Sequence, residues 1–133
     1  MLCWLMTFID VTCDADNELP VPSAWRKQLE LIAQAFNTSD PSTALSEIEN
    51  VSFRDGIVNI SLGQIEDYPA SRVFVGPKTW LHSIYLWQES YWNVLVDLHI
   101  DDEHNEVSDL VLPVKVTSVG NEFYFEPNFI HVP

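Results

Sequence analysis

Apolar residues recur at helical spacing near the start of the chain. Four of them fall on one helical face: Trp25, Leu29, Ile32 and Phe36. Asp40 followed by Pro41 is typical of an N-cap and a first-turn proline, which predicts that a second helix begins there. Residues 23–50 are therefore predicted to be helical, after an N-terminal segment and a proline-punctuated connector over residues 1–22.

Residues 57–68 fit two patterns. One set alternates with polar or small residues as in a strand: Val58, Ile60 and Leu62. Another set would equally form the stripe of a helix: Ile57, Ile60, Gln64, Ile65 and Tyr68. The alternation favours a strand over residues 57–62, and the choice between strand and helix stays open.

Period-two alternation dominates the C-terminal half and predicts four antiparallel strands. Their ranges are 83–88, 92–100, 107–116 and 122–131. Pro113 lies inside the third strand and predicts an edge position or a bulge, because proline donates no backbone hydrogen bond. Helices followed by antiparallel strands indicate the α+β class. We expect one domain over residues 1–133, with the N-terminal helices packed on a curved sheet formed mainly by residues 57–133. By analogy, a cystatin or nuclear-transport-factor architecture fits.

The composition places the chain among folded proteins with a strongly acidic surface. Its 133 residues are 47% hydrophobic and 20% charged, enough for one domain with its own core. Twenty Asp and Glu oppose six Lys and Arg, for a net charge of −14. Such a surface repels nucleic acid and anionic membranes and attracts basic proteins. The alternative interpretation is that the charge serves solubility alone.

Cys3 and Cys13 are the only cysteines in the sequence. Two thiols without a repeated spacing indicate neither a disulfide framework nor a zinc site, so reduced thiols are expected. The apolar residues 1–9 lack a basic leading region and are too short to span a bilayer. These features predict a cytoplasmic protein without a cofactor.

A tryptophan-rich hairpin beside a block of acid is the first candidate for function. Trp87 and Trp92 flank a short connection, and a lysine- and arginine-free acidic stretch follows. Exposed aromatic rings next to carboxylates would form a protein-recognition surface, although rings in a sheet are more often core. The predicted partner-binding residues are Trp87, Glu89, Tyr91, Trp92, Asp101, Asp102, Glu103 and Glu106.

A second candidate is a pocket built from Asp97, His99 and His131, which would suit a small-molecule binder or an enzyme. No metal is predicted, because the spacing of histidines and acids matches neither a zinc nor a calcium site. Ser108 and Asp109 are predicted to be structural, since such side chains commonly bond the amides of turns. The sequence contains no phosphate-binding loop, nucleophile elbow or dinucleotide fingerprint.

One stretch resembles an uncharacterised bacterial domain family. The resemblance rests on Trp92-x-Val94-x-Val96-Asp97-Leu98 followed by Ser108-Asp109-Leu110-x-Leu112. It extends over most of residues 20–133, but His99 stands where a Trp is usual, and the acidic turn is longer and has no glycine. The resemblance implies no catalytic residue. Members are discussed beside toxin–immunity genes.

The sequence therefore predicts an acidic protein-binding module. In its sharper form this is an immunity-like protein that neutralises a basic partner such as a toxin domain. The alternative is a small-molecule binder or enzyme with a pocket between helices and sheet. Association of identical copies through the open sheet face is a further possibility.

Overall fold

Four helices and six strands make up the part of the chain that the structure describes. The computed structural model describes residues 11–67, 72–76, 78–100 and 107–133. The helices are α1 (Ser23–Ala35), α2 (Pro41–Ser46), α3 (Ile57–Glu66) and α4 (Thr79–His82). The strands are β1 (Leu19–Pro20), β2 (Val73–Phe74), β3 (Ile84–Trp87), β4 (Trp92–Ile100), β5 (Val107–Val119) and β6 (Glu122–Pro127). The predicted α+β class is confirmed.

All strand pairs of the sheet are antiparallel. The strand order is β1-β3-β4-β5-β6, and β2 pairs with the last two residues of β4. β4 lies between β3 and β5 over its first half, and its bounds match the alternation in the sequence. This central position explains why β4 buries every second side chain so consistently.

Trp25 of α1 is the aromatic centre of the core. Its ring meets three others edge-on, at centroid distances of 5.3 to 5.5 Å: Tyr85, Trp92 and Phe123. Edge-to-face pairs of this kind add stabilisation beyond the apolar area that they bury. The indole N–H of Trp92 donates to the carbonyl of Thr12 at 2.8 Å, which ties the segment before β1 to the sheet.

α2 begins as the Asp-Pro pair predicts. The Asp40 carboxylate accepts hydrogen bonds from the backbone N–H and the hydroxyl of Thr43, at 3.2 and 2.7 Å. These hydrogen bonds lower the pKa of Asp40, because they favour the charged form. Pro41 occupies the first turn, where its missing N–H costs no hydrogen bond.

Residues 57–66 form a helix, so the strand interpretation of 57–62 was wrong. The buried residues of α3 are Ile57, Val58, Ser61 and Ile65, which follow helical spacing. Ile60, which the strand pattern placed in the core, is 50% exposed. Gly56 precedes the helix with a left-handed φ of 90°, a conformation that side chains disfavour. The segment is a helix because one helical face packs into the core, and the local alternation of apolar residues does not reveal this packing.

Pro113 lies in an interior strand, so the predicted edge position was wrong. β5 pairs with β4 on one side and β6 on the other, and Pro113 is opposite Leu95. β6 ends at Pro127. The next residue, Asn128, lies beside Pro113, and its N–H donates to the Pro113 carbonyl. A proline is tolerated here because the neighbouring strand has already left the ladder.

Cys13 is disulfide-bonded, which contradicts the expected reduced thiols. The other cysteine, Cys3, lies outside the described residues. Disulfides persist mainly in oxidising compartments, and the cytoplasmic location stays a prediction. Within the described ranges, no helix has the length and apolar character needed to cross a membrane.

Candidate functional site

The two tryptophans of the predicted recognition surface belong to the core. Trp92 is buried against Trp25, and its ring centroid lies 4.9 Å from that of Trp87, which is also buried. Because both rings are covered, they offer no exposed aromatic surface to a partner. The sequence pattern could not show this, since α1 supplies the covering ring.

The structure describes only some of the other predicted docking residues. Glu89 and Tyr91 lie in the connection between β3 and β4, where Glu89 is exposed and Tyr91 half-buried. Four more fall outside the described residues, after the last residue of β4: Asp101, Asp102, Glu103 and Glu106. Of the predicted docking set outside the core, the structure therefore describes only the pair that precedes β4.

A polar groove lies on the sheet beside Tyr91. Asn93, Lys115 and Glu126 form a row across three strands, because Asn93 is opposite Lys115 and Lys115 is opposite Glu126. The groove has a volume of about 270 Å³, and Arg54 closes one side of it. Sequence analysis missed this set, since its members come from three strands and a loop and meet only through the register.

Two cations dominate the chemistry of this groove. The Lys115 ammonium lies 4.7 Å from the centroid of the Tyr91 ring, within the range of a cation–π contact. The Arg54 guanidinium lies 3.9 Å from the Glu126 carboxylate and donates to Asn128 at 3.4 Å. Glu126 compensates only one of these two positive charges, so the groove offers no net negative charge to a basic partner.

His99 is a buried histidine whose two ring nitrogens have no hydrogen-bond partner among the residues that the structure describes. The side chain is 0% exposed and packs beside the ring of Phe74, with centroids 5.3 Å apart. The backbone of Gly76 covers it so closely that a Cβ there would lie 2.9 Å from the imidazole. Buried polar atoms without partners reduce stability, so this position is a local weakness of the fold.

Asp97 lies on the strand two residues before His99 but in a different environment. Its backbone N–H donates to the hydroxyl of Ser83 at 2.9 Å. Partial burial raises the pKa of its carboxyl, and the nearby His82 acts in the opposite direction. In the sheet, Asp97 is opposite Val111 of β5.

His131 completes the second predicted set and lies apart from the other two residues. Val111 pairs with Asp97 on one side and with His131 on the other. Asp97 and His131 are therefore two strand spacings, about 10 Å, from each other. The Nδ1 atom of His131 lies 3.1 Å from the carbonyl of Phe129. Asp97, His99 and His131 are thus not brought together into one pocket.

Replacing Asp97 by asparagine is expected to stabilise the protein at neutral pH. The folded state raises the pKa of Asp97 above its ordinary value of 3.8, so it holds the proton more tightly than the unfolded chain. The associated stability is present below pH 3.8 and is lost as the pH rises through the folded-state pKa. Asparagine stays neutral throughout. Urea unfolding between about pH 3 and pH 7 should show the variant gaining on the wild type as the pH rises. Parallel curves would contradict the prediction, and Asp109→Asn at an exposed carboxylate is the control.

Ser108 closes an irregularity between β4 and β5. The register shifts between Asp97 and His99, so that three residues of β5 are opposite Leu98. The Ser108 hydroxyl donates to the Leu98 carbonyl at 2.7 Å and accepts from the Leu110 N–H at 3.0 Å. It thereby supplies hydrogen bonds that a regular ladder would provide, while Asp109 is exposed beside it.

No group of three or more His, Cys, Asp or Glu side chains suited to a metal ion occurs in the described part of the chain.

The comparison with known families rests on residues 26–133, which match the model of a domain of unknown function, DUF7668. The chain belongs to the DUF7668 family. This confirms the resemblance to an uncharacterised domain family. The DUF7668 match takes in all but the first three residues of α1 and everything from α2 to the end of the chain. No curated protein and no solved structure is significantly similar to the chain.

Proposed function

We propose that this DUF7668 protein is an acidic protein-binding module that engages a basic protein partner. In its sharper form the role is immunity-like, in which binding covers the active surface of a basic toxin domain. The observation that carries the proposal is the lack of charge compensation on the surface. Fifteen Asp and Glu lie among the described residues, against six Lys and Arg. One ion pair, between Arg54 and Glu126, joins two described side chains.

Uncompensated charge of this kind has a physical consequence. Carboxylates that are not paired within the molecule produce a negative potential that extends about 10 Å into solvent at moderate salt. This field accelerates the approach of basic proteins and slows that of acidic ones. Identical copies of this chain also repel each other. A different, basic protein therefore suits this charge better than a second copy of the chain does.

The alternative of a small-molecule site receives less support. Its proposed residues, Asp97, His99 and His131, are separated across the sheet or buried without a shared cavity. None of the three lines any of four surface cavities: the groove between α1 and α2, the groove beside Tyr91, the cavity beside β1, and the cavity beside Tyr124. Protein binding is therefore the better supported of the two proposed functions.

The test begins by capturing partners on the immobilised protein from its own organism's lysate at low salt. A salt gradient elutes the bound proteins, and mass spectrometry identifies them. We expect a basic protein whose association rate, measured afterwards with purified components, falls at least about tenfold between roughly 50 and 500 mM NaCl.

A charge-reduced variant provides the control for this test. It carries four substitutions at exposed carboxylates: Asp16→Asn, Glu18→Gln, Glu66→Gln and Asp67→Asn. Its association should be slower than that of the wild type at low salt and equal to it at high salt, where screening removes the difference. A rate that does not depend on salt, or an empty eluate from folded protein, would overturn the proposed function.

A further inference from the structure

A groove runs between α1 and α2, and its floor is apolar. It has a volume of about 460 Å³, against about 330, 270 and 180 Å³ for the three other cavities described for this chain. Four apolar side chains line it: Leu31, Ala35, Ala44 and Ile48. Leu31, Ala44 and Ile48 are only partly buried, so this surface is accessible.

The rim of the same groove is polar and acidic. Its charged members are Glu47 and Glu49, both exposed, and no lysine or arginine lines it. The polar groove beside Tyr91 differs in this respect, because Arg54 and Lys115 line it. The cavity beside β1 is lined by Arg26. Among these surfaces, the groove between α1 and α2 combines an apolar floor with an uncompensated negative rim.

The walls of the groove limit the kind of segment that can bind. They are mostly helical, and helices satisfy most of their backbone hydrogen bonds internally. An extended peptide would find no strand edge to pair with, so recognition must use side chains. An amphipathic helix meets this requirement, because its apolar face can enter the groove while its polar face meets the rim.

We propose that the groove between α1 and α2 docks a short amphipathic helix whose apolar face covers Leu31 and Ile48 and whose Lys or Arg side chains meet Glu47 and Glu49. The inference rests on the proposed function, since it names the part of the basic partner that makes contact. It moves the docking surface away from the β3–β4 connection, where the groove lined by Lys115 and Arg54 carries no net negative charge. The order of events is steering by the overall field, followed by docking in the groove.

The probe is a synthetic 14-residue helix of leucine and lysine with one apolar and one basic face. A peptide of identical composition, with the leucines scattered around the helix, is the ligand control. Affinity is measured by fluorescence anisotropy with the full-length protein, whose folding in each variant is checked by circular dichroism. We expect the amphipathic peptide to bind at least about tenfold more tightly than the scattered one.

Two groove variants and two matched variants elsewhere complete the design. Leu31→Gln removes the apolar floor, and Glu47→Lys with Glu49→Lys reverses the rim; each should weaken binding about tenfold or more. Leu81→Gln, at a leucine that is 74% exposed, and Glu66→Lys are the controls and should change the affinity less than about threefold. Amide chemical shifts that move on peptide addition should map to α1, α2 and the residues between α2 and Val51.

The outcomes separate this inference from the proposed function. Two results would overturn docking in the groove: equal weakening by the groove and control variants, or equal binding of both peptides. In either case, a natural partner whose binding depends on salt would still support the proposed acidic module. Shift changes centred on the sheet instead of α1 and α2 would also overturn docking in the groove. Failure of the partner capture would remove the proposed function itself.

Discussion

Replacing Trp92 by alanine is expected to lower the free energy of unfolding by about 3–5 kcal/mol, which is the usual cost of deleting a buried aromatic side chain. Trp92 is 1% exposed and contacts the rings of Trp25, Trp87 and Phe123. Alanine would leave a cavity at the point where α1 meets the sheet, and neighbouring rings of this size cannot collapse into it fully. For a domain of this size, such a loss is a large share of the total stability.

The two buried tryptophans provide a more specific comparison. The indole N–H of Trp92 donates to Thr12, whereas the indole N–H of Trp25 is buried and has no partner in the described part of the chain. Phenylalanine at position 92 would leave the Thr12 carbonyl without this donor, but phenylalanine at position 25 would remove a polar atom that is already unsatisfied. We therefore expect Trp92→Phe to cost more than Trp25→Phe, by about 1 kcal/mol.

Urea unfolding followed by circular dichroism measures all three variants on one scale. The slope of free energy against urea should stay the same, so that a shift in midpoint reports stability alone. A smaller loss for Trp92→Ala than for either phenylalanine variant would contradict the assignment of Trp92 to the centre of the core. A greater cost for Trp25→Phe than for Trp92→Phe would show that the Trp92 hydrogen bond contributes little.

Replacing Gly76 by alanine is expected to destabilise the protein by about 1–3 kcal/mol through overpacking against His99. The added Cβ would lie 2.9 Å from two atoms of the imidazole ring and 3.0 Å from a third. The ring cannot move aside easily, because it is fully buried and packed beside Phe74. To make room for the new methyl group, the segment after β2 would have to move and the histidine ring would have to shift.

A double-mutant cycle identifies the cause. His99→Ala by itself should cost stability through the cavity that it leaves, although it also removes two unsatisfied nitrogens. Once that ring is gone, Gly76→Ala should cost little, so the double variant should be less destabilised than the sum of the single variants. Additive losses would mean that the Gly76 backbone itself, not the contact with His99, is the source of the effect. Gly63→Ala, at a glycine with open space around it, is the matched control.

The contrast between the polar groove beside Tyr91 and the groove between α1 and α2 bears on how partners recognise this protein. The groove beside Tyr91 presents Lys115 and Arg54, while the surface of α1 and α2 presents carboxylates above an apolar floor. A net charge of −14 alone would suggest that any face attracts a basic partner. The positions of the six Lys and Arg side chains reduce the number of faces that can bind a basic partner, because local charge governs contact after the long-range field has guided approach.

Local patterns in the sequence determined the class of the fold and most of the sheet. The alternation over β4 reproduced its bounds, and Asp40 with Pro41 marked the start of α2, because such signals depend on neighbours within a few residues. The same patterns failed over residues 57–62, where apolar residues satisfied both periods. Ser61 of this segment is buried, and its hydroxyl accepts a hydrogen bond from the N–H of Ile130, which lies 69 positions away in the sequence. A local pattern cannot report such a contact.

Only the tertiary structure decided which surfaces remain available for binding. The sequence identified Trp87 and Trp92 as notable, but both belong to the core, because the Trp25 ring packs on Trp92 and Trp92 packs on Trp87. It identified Asp97, His99 and His131, but strand register and a shift in pairing kept them apart. The acidic groove, in turn, exists because α1 and α2 pack side by side. Composition determines the net charge, whereas the position of each charge depends on contacts between residues that are distant in sequence.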